Sequence, residues 1–298
     1  MGKILVTGAT GNIGRLTLEK LIEKKVPAHQ LIGLSRNSKG AEELSAFGIE
    51  IRKGDYSDAA SLLKAFDGVE KLMLVSATAF TDRKAAHANV VDAAVKAGVK
   101  HIVYMPIRRK DGSTFVLPDV TDEDTFTEKK IIDSGLEYTF VQHPPFLESL
   151  PGYIGDAAMF KDGLRLPKGI GKVSFASRAD LAEAHAVVLT EKGHSGKSYW
   201  LGGNPVVSFA EIASMLSKVT DHNIPLLEIS GEEYVKRLEA AGVPTFAAKF
   251  LLAWMNGMTS GEWGDLGGDL ERLIGRKPKT TADYLREVYS TETSSVGD

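Results

Sequence analysis

Three glycines with the spacing G-x-x-G-x-x-G, Gly8, Gly11 and Gly14, follow the apolar run at the start of the chain. The run at residues 4–7 predicts a buried strand, and the amphipathic stretch at 15–25 predicts a helix directly after the glycines. In this order of strand, tight turn and helix, such glycines indicate dinucleotide binding. Gly8 permits a sharp turn, Gly11 permits close approach of a pyrophosphate, and Gly14 permits close packing of the helix on the sheet.

The first turn of this helix is expected to supply the other phosphate contacts. Its backbone N–H groups point toward the phosphates, and the helix dipole favours negative charge at that end. A turn that merely tolerates glycine is the alternative. We predict that the phosphate-binding turn consists of the following residues: Gly8, Thr10, Gly11, Asn12, Ile13 and Gly14.

Composition narrows the class of protein. The 298 residues carry a net charge of −3, which argues against electrostatic binding of nucleic acid or of an anionic membrane surface. The chain has no cysteine, so disulfides, thiolate catalysis and cysteine-ligated metals are excluded. The 7 histidines are scattered without metal-ligand spacing, and we expect no metal. The N-terminus does not look like a secretory signal, no apolar run is long enough for a membrane span, and we expect a cytoplasmic protein.

Short apolar runs alternate with helical patterns through the first half of the chain, which predicts an α/β fold with a doubly wound parallel sheet of the Rossmann type. We assign residues 1–145 to this domain, with 173–201 returning to it. A smaller, mostly helical lobe takes residues 146–172 and 202–298, and residues 291–298 are expected to fray. The predicted strands are 4–7, 31–34, 49–53, 71–75, 101–104 and 138–142, with short ones at 173–176 and 198–201. The predicted helices are 15–25, 41–47, 59–66, 83–97, 124–134 and 178–190.

The end of the second strand indicates which dinucleotide is bound. NAD-binding sheets usually carry an acid there for the adenosine 2′-hydroxyl, whereas a 2′-phosphate requires a positive group. This strand ends in Ser35, Arg36 and Asn37, with no acid. A guanidinium can donate two parallel hydrogen bonds to a phosphate, which favours NADP(H). A solvent-facing arginine without a ligand is the alternative for Arg36.

The ends of the third and fourth strands contribute further candidates. Asp55 is expected either to accept a hydrogen bond from the adenine amino group or to cap the next helix, a role better suited to Asp58. Ser76, Ala77 and Thr78 are small residues that let the chain pass close to the cofactor ribose. Both assignments rest on their position at the carboxyl edge of the sheet, where ligands bind in open α/β folds.

The chain resembles the NmrA-like atypical short-chain dehydrogenases/reductases, in particular the branch of bacterial NADPH:quinone oxidoreductases and triphenylmethane-dye reductases. The resemblance lies in residues 6–14, 53–56, 94–104 and 134–140, and extends to 178–182 and 274–278. It implies an NADP-binding domain, a small C-terminal lobe and a pocket between them. The family contains quinone, dye, azo and phenolic reductases as well as non-catalytic redox sensors, and its members include both monomers and dimers, so a homodimer stays open.

No Tyr-x-x-x-Lys motif of ordinary short-chain dehydrogenases is present, and the nearest match is Tyr104 with Arg108. A structural residue near the nicotinamide is the alternative for Tyr104. Asp124 stands where the resembled family often has lysine or histidine, so its interpretation is either a protonated acid or a helix N-cap. His143 follows the sixth strand and is the histidine best placed to meet a substrate, with a structural hydrogen bond as its alternative. The catalytic candidates are therefore His143, Tyr104 and Asp124.

Aromatic residues after the sixth strand suggest a wall for a flat substrate, with ordinary packing of the lobe as the alternative. Its expected members are Phe146, Tyr153 and Trp254, together with Phe160, Met258 and Trp263. Hydride transfer to an electron-poor acceptor needs no protein acid, because water can supply the proton. We expect an NADPH-dependent reductase of quinone, azo or triphenylmethane-dye acceptors; the alternative is a non-catalytic NADP(H)-sensing regulator that binds a protein partner.

Overall fold

A parallel sheet places the glycine turn at its centre. The computed structural model describes residues 2–37, 40–155 and 163–290, and in these seven strands pair in the order β3-β2-β1-β4-β5-β6-β8. The order reverses between β1 and β4, and ligands of open α/β sheets bind in the crevice at such a point. The strands are β1 (Lys3–Val6), β2 (Leu31–Ser35), β3 (Glu50–Lys53), β4 (Val69–Leu74), β5 (His101–Tyr104), β6 (Glu137–Gln142) and β8 (Lys197–Trp200).

Helices cover both faces of the sheet, so its central strands are apolar and buried. One face carries α1 and α7, which pack against each other, and the other carries α3, α4 and α5. The helices of this part are α1 (Asn12–Glu23), α2 (Glu42–Ala46), α3 (Ala59–Ala65), α4 (Arg83–Ala97), α5 (Thr121–Asp133) and α7 (Arg178–Thr190).

A second hydrophobic core forms the smaller lobe, around the buried side chains of Phe175, Phe209 and Trp263. Two parallel strands, β7 (Leu164–Pro167) and β9 (Leu226–Ile229), form its sheet. Its helices are α6 (Leu150–Ile154), α8 (Phe209–Thr220), α9 (Gly231–Ala240), α10 (Thr245–Thr259) and α12 (Thr281–Tyr289), while α11 (Asp269–Ile274) packs on α7. Among the described residues, no helix combines the length and apolar character that crossing a membrane requires.

The parallel sheet and helical lobe confirm the predicted fold class. The first six strands lie within two residues of their predicted bounds, and α4 and α7 begin and end where expected. Residues 173–176 were expected to form a strand but make only isolated bridges, from Val173 to Val207 and from Ala176 to Phe146. The strand β8 does lie beside β6 in the main sheet. The domain boundaries themselves stay predictions, and residues 291–298 lie outside the described part of the chain.

Candidate active site

The glycine turn leaves the start of α1 open. Gly8 has a left-handed φ of 58°, which glycine adopts without strain. A Cβ on Gly14 would lie 2.3 Å from the carbonyl oxygen of Gly8, so the helix passes too close for any side chain there. Gly11 is the N-cap, and none of the described side chains caps the helix. The N–H groups of Asn12, Ile13 and Gly14 therefore have no acceptor within the helix.

A hydrogen-bonded cluster ties the ends of three strands together below this turn. The Thr7 hydroxyl donates to the carbonyl of Met73 at 3.1 Å and accepts from the Val75 amide at 2.9 Å. The Tyr56 hydroxyl lies 2.5 Å from Thr7 Oγ1 and 2.8 Å from the Val75 carbonyl oxygen. Sequence reasoning missed Thr7 and Tyr56 as positioning residues; a buried threonine at the end of an apolar strand is the signal that was available.

The end of β2 presents Arg36 to solvent beside the glycine turn. The Ser35 hydroxyl donates to the Asn37 carbonyl at 2.7 Å and lies 3.4 Å from Thr10 Oγ1, so the strand end is joined to the turn. A groove of about 910 Å³ runs beside β3 and is lined by Arg36 and Asp55 among others. The structure thus brings the two predicted adenosine-side residues to one groove.

Asp55 and Asp58 have different roles. Asp58 is the N-cap of α3, where its carboxylate accepts from the amides of Ala60 and Ser61 at 3.1 Å. The helix-cap alternative for Asp55 is therefore wrong, since its Oδ1 accepts instead from the amide and hydroxyl of Ser57 at 2.9 and 2.7 Å. These hydrogen bonds lower the pKa of Asp55 and keep it an anionic acceptor. Its contact with adenine stays a prediction.

The loop after β4 is held by a buried histidine that sequence reasoning did not single out. The Ala77 amide donates to His87 Nε2 at 3.0 Å, so Nδ1 carries the proton and donates to the Thr127 hydroxyl at 2.9 Å. Burial, with a smaller contribution from Arg83, lowers the pKa of His87 to about 3. The Ser76 hydroxyl donates to the carbonyl of Met105, which fixes the start of the loop, and the Thr78 carbonyl accepts from Thr81.

Tyr104 and Asp124 are joined in a buried ionic cluster. Asp124 Oδ1 accepts from the Tyr104 hydroxyl at 2.6 Å and from Arg83 Nη2 at 2.7 Å, while Oδ2 accepts from the Ile107 amide at 2.8 Å. Burial raises the pKa of Asp124, and the Arg83 guanidinium is the largest opposing influence. Burial also raises the pKa of Tyr104 far above its usual range. The N-cap interpretation of Asp124 is wrong, because α5 begins at Thr121 and Asp124 lies inside it.

Arg108, the motif partner of Tyr104, contacts Gln142 and Trp200 rather than the Tyr104 hydroxyl. Arg108 Nη1 donates to Gln142 Oε1 at 3.1 Å, and its guanidinium lies 5.7 Å from the centre of the Trp200 ring. The cation nearest to the Tyr104 hydroxyl network is Arg83, through Asp124. The spacing Tyr104-x-x-x-Arg108 therefore does not form a tyrosine–cation pair.

His143 is buried in a relay that reaches α1. Its Nε2 lies 2.8 Å from Nε2 of His185, whose Nδ1 lies 3.1 Å from the Thr17 hydroxyl. Because that hydroxyl donates to the Ile13 carbonyl, it accepts from His185, and His143 must then donate to His185. Burial lowers the pKa of both imidazoles. This geometry favours the structural alternative for His143, and its catalytic role stays a prediction.

The expected aromatic wall is divided between two cores. The Phe146 ring lies 5.0 Å from the Arg178 guanidinium and packs on His143 in the main core. Tyr153 is buried in the lobe, with Met258, while the half-buried Trp254 lies 4.9 Å from Trp263. Phe160 falls outside the described residues. Substrate contacts by these residues stay predictions, and among the described residues no group of three metal-ligating side chains occurs.

Glu262 joins the loop after β5 to the small lobe, and sequence reasoning missed it. Its buried carboxylate accepts from the Lys110 amide at 2.6 Å and from the Ser113 hydroxyl at 2.5 Å. Beside it, Trp263 Nε1 donates to the Arg108 carbonyl at 3.0 Å. The loop and the lobe therefore meet over the carboxyl ends of β5 and β6.

Comparison with known proteins agrees with this arrangement of turn, sheet edge and lobe. A model of the NmrA-like family matches residues 1–279. The chain belongs to the NmrA-like family. Among its relatives, quinone oxidoreductase 2 of Escherichia coli is 35% identical over 96% of this chain and 99% of its own. An NAD(P)H azoreductase of Xenophilus azovorans is 31% identical over 95% of this chain and 96% of its own.

Solved structures of the family superpose over nearly the whole chain. The NADPH complex of the Escherichia coli NADPH-dependent quinone oxidoreductase has a TM-score of 0.88 at 34% identity, covering 96% of this chain and 99% of that one. The Citrobacter triphenylmethane reductase complexed with NADP(H) has a TM-score of 0.89 at 34% identity, with the same coverage. This family member therefore shares its fold with reductases crystallised with the reduced or oxidised dinucleotide.

Proposed function

We propose that this protein is an NADPH-dependent reductase that transfers hydride to a flat conjugated acceptor of the quinone, azo or triphenylmethane-dye type. One observation supports the proposal above all. The start of α1, which no described side chain caps, and the end of β2, which carries no acidic residue, lie at the same edge of the sheet. Relatives at 31–35% identity with such names supply the acceptor classes. Because these relatives are named as reductases, we propose the enzyme rather than the regulator.

The residues of the sheet edge fit NADP(H). The N–H groups of Asn12, Ile13 and Gly14 would hold the pyrophosphate, since none of the described side chains caps the start of α1. Arg36 would bind the 2′-phosphate, and Asp55 would accept from the adenine. The loop at Ser76–Thr78 would lie beside the nicotinamide ribose. The cytoplasmic location expected from composition stays a prediction.

Bound NADPH supplies a hydride to the acceptor. A quinone that takes this hydride and one proton becomes a hydroquinone, while a cationic triphenylmethane dye needs the hydride alone to become neutral. The protein's contribution is to orient the two flat molecules and to exclude water around them.

No buried candidate is arranged to donate the proton. The Tyr104 hydroxyl is committed to Asp124, and the Asp124 carboxylate accepts from three donors. The Nε2–H group of His143 donates a hydrogen bond to His185. We infer that these three residues position the sheet edge and that the proton for quinone or azo acceptors comes from water.

Acceptor turnover tests the proposal directly. Oxidation of NADPH, followed at 340 nm, is expected with menadione, with an azo dye and with crystal violet as acceptors. Tight NADPH binding with no turnover of any acceptor would instead favour the regulator.

Cofactor choice is tested by Arg36→Glu. We expect this substitution to weaken NADPH binding by about 100-fold, because it removes a charge-assisted pair with the 2′-phosphate and adds a repelling carboxylate. NADH, which lacks that phosphate, should lose less than about threefold. Both dissociation constants are measured by calorimetry, with Arg286→Glu on α12 as the control. Equal losses for the two cofactors would contradict the role of Arg36.

A further inference from the structure

A ladder of aromatic rings joins the loop after β4 to α10 of the small lobe. Its members are Phe80, Phe246, Phe250, Trp254 and Trp263. Ring centres are 5.3 Å apart for Phe80 and Phe246, 4.9 Å for Phe80 and Phe250, and 6.3 Å for Phe250 and Trp254. Trp254 and Trp263 continue the ladder at 4.9 Å.

The two sides of the ladder come from different parts of the fold. Phe80 lies on the loop between β4 and α4, four residues after Ser76, whose hydroxyl is fixed to the sheet edge. Residues 246, 250 and 254 are spaced by four on α10 and therefore share one helix face. At the inner end, the Trp263 indole donates to the Arg108 carbonyl after β5. The ladder thus leads from solvent to the carboxyl ends of the strands.

The outer rings of the ladder are more exposed to solvent than phenylalanine side chains of folded proteins usually are. Phe80 is 50% exposed and Phe246 is 60% exposed. Their contacts are edge-to-face, at interplanar angles of 84° for Phe80 with Phe246 and 69° for Phe80 with Phe250. Edge-to-face pairs leave ring faces free, and a planar guest can stack on such a face.

The backbone of Phe80 gives an independent indication. Its φ is 68°, in the left-handed region that a bulky side chain seldom occupies. Conformations of this kind are unfavourable, and they cluster at ligand clamps and active sites. The loop therefore holds an aromatic ring toward α10 at a cost in backbone energy.

We propose that Phe80 is a specificity-determining residue that, with Phe246 and Phe250, holds acceptors of two or more aromatic rings by stacking. This inference rests on the proposed function and names the substrate class within it. A single-ring quinone bound at the sheet edge does not reach Phe80. A triarylmethane or azo dye extends outward and places a distal ring on the ladder.

Calorimetry with crystal violet and the NADP⁺-loaded protein tests this without turnover. Phe80→Gly removes the ring and suits the left-handed backbone, and it should raise the dissociation constant about tenfold. Phe246→Ala, on the α10 side of the ladder, should produce a similar loss. Phe80→Tyr keeps the ring and should stay within about twofold. The control is Phe47→Ala, since Phe47 is 53% exposed at the end of α2 and is not a member of the ladder.

The KM for p-benzoquinone completes the test and should change less than about twofold in Phe80→Gly. An unchanged affinity for crystal violet in Phe80→Gly and Phe246→Ala overturns the inference, as does an equal loss for benzoquinone. A wild-type dimer in sedimentation velocity that Phe246→Ser dissociates also overturns it, because a second copy then covers the ladder. Failure of the proposed function looks different: NADP⁺ does not bind, or the wild type reduces no acceptor.

Discussion

Replacement of Arg83 by methionine is expected to lower the free energy of unfolding by about 3–5 kcal/mol. The side chain of Arg83 is 4% exposed and that of Asp124 is 1% exposed, with 2.7 Å between Nη2 and Oδ1. Methionine fills similar volume but leaves the Asp124 carboxylate without its cation, and an uncompensated buried charge is costly. Urea unfolding at pH 7.5 measures the loss.

The matched control for Arg83→Met is Lys129→Met, which breaks the exposed ion pair with Asp133 on α5. This change should lower the free energy of unfolding by less than about 0.5 kcal/mol. The double variant Arg83→Met with Asp124→Leu removes both charges and should recover part of the loss. If Arg83→Met lowers the free energy of unfolding no more than Lys129→Met does, the buried pair does not stabilise the fold.

Mild acid should destabilise the protein through its buried neutral histidines. Burial lowers the pKa of His87 and of His185 to about 3 from an ordinary 6.5, and His143 shifts in the same direction. Their folded-state pKa values are depressed, so the stability they contribute is present above pH 6.5 and is lost as the pH falls below it. At pH 5, His87 and His185 should each remove about 2 kcal/mol of the free energy of unfolding relative to pH 7.5, or about 4 kcal/mol together, and His143 acts in the same direction.

Urea unfolding at pH 7.5, 6 and 5 measures this loss. His87→Gln should be less stable at pH 7.5 but should show a smaller decrease between pH 7.5 and 5, by about 2 kcal/mol. The control His222→Gln changes an exposed histidine and should leave the decrease unaltered. A wild-type free energy that is flat between pH 7.5 and 5 would contradict the neutral assignment of these imidazoles.

Most of the fold could be predicted from patterns of residues that are close together in the sequence. The glycine turn, the apolar strands and the helix at 83–97 each depend on residues close in sequence. Asp82 caps that helix and Gly98 ends it in the left-handed conformation, so both ends of the helix could be predicted from the sequence. The proposed cofactor residues also follow from local patterns, because the carboxyl ends of parallel strands meet at one edge; their contacts with the cofactor stay predictions.

The buried polar clusters could not be predicted in the same way. Asp124 pairs with Arg83 across 41 residues, and His143 with His185 across 42. Glu262 bonds the Lys110 amide across 152 residues. Such partners are set by how helices pack on the sheet rather than by spacing along the chain. For this reason the sequence leaves Asp124 open between a protonated acid and a helix cap and does not reveal its buried pairing with Arg83.

The return of β8 to the outer side of β6 limits how this protein can be divided. A fragment ending at residue 145 would leave unpaired the β6 backbone groups that face β8, and would remove α7 from α1. Exposed strand edges of this kind recruit other chains. Recombinant production of the amino-terminal half alone should therefore give insoluble material, whereas a chain that runs through Trp200 keeps β8 on β6 and α7 on α1. Exchange of the small lobe between relatives must therefore keep β8 and α7 with the main sheet.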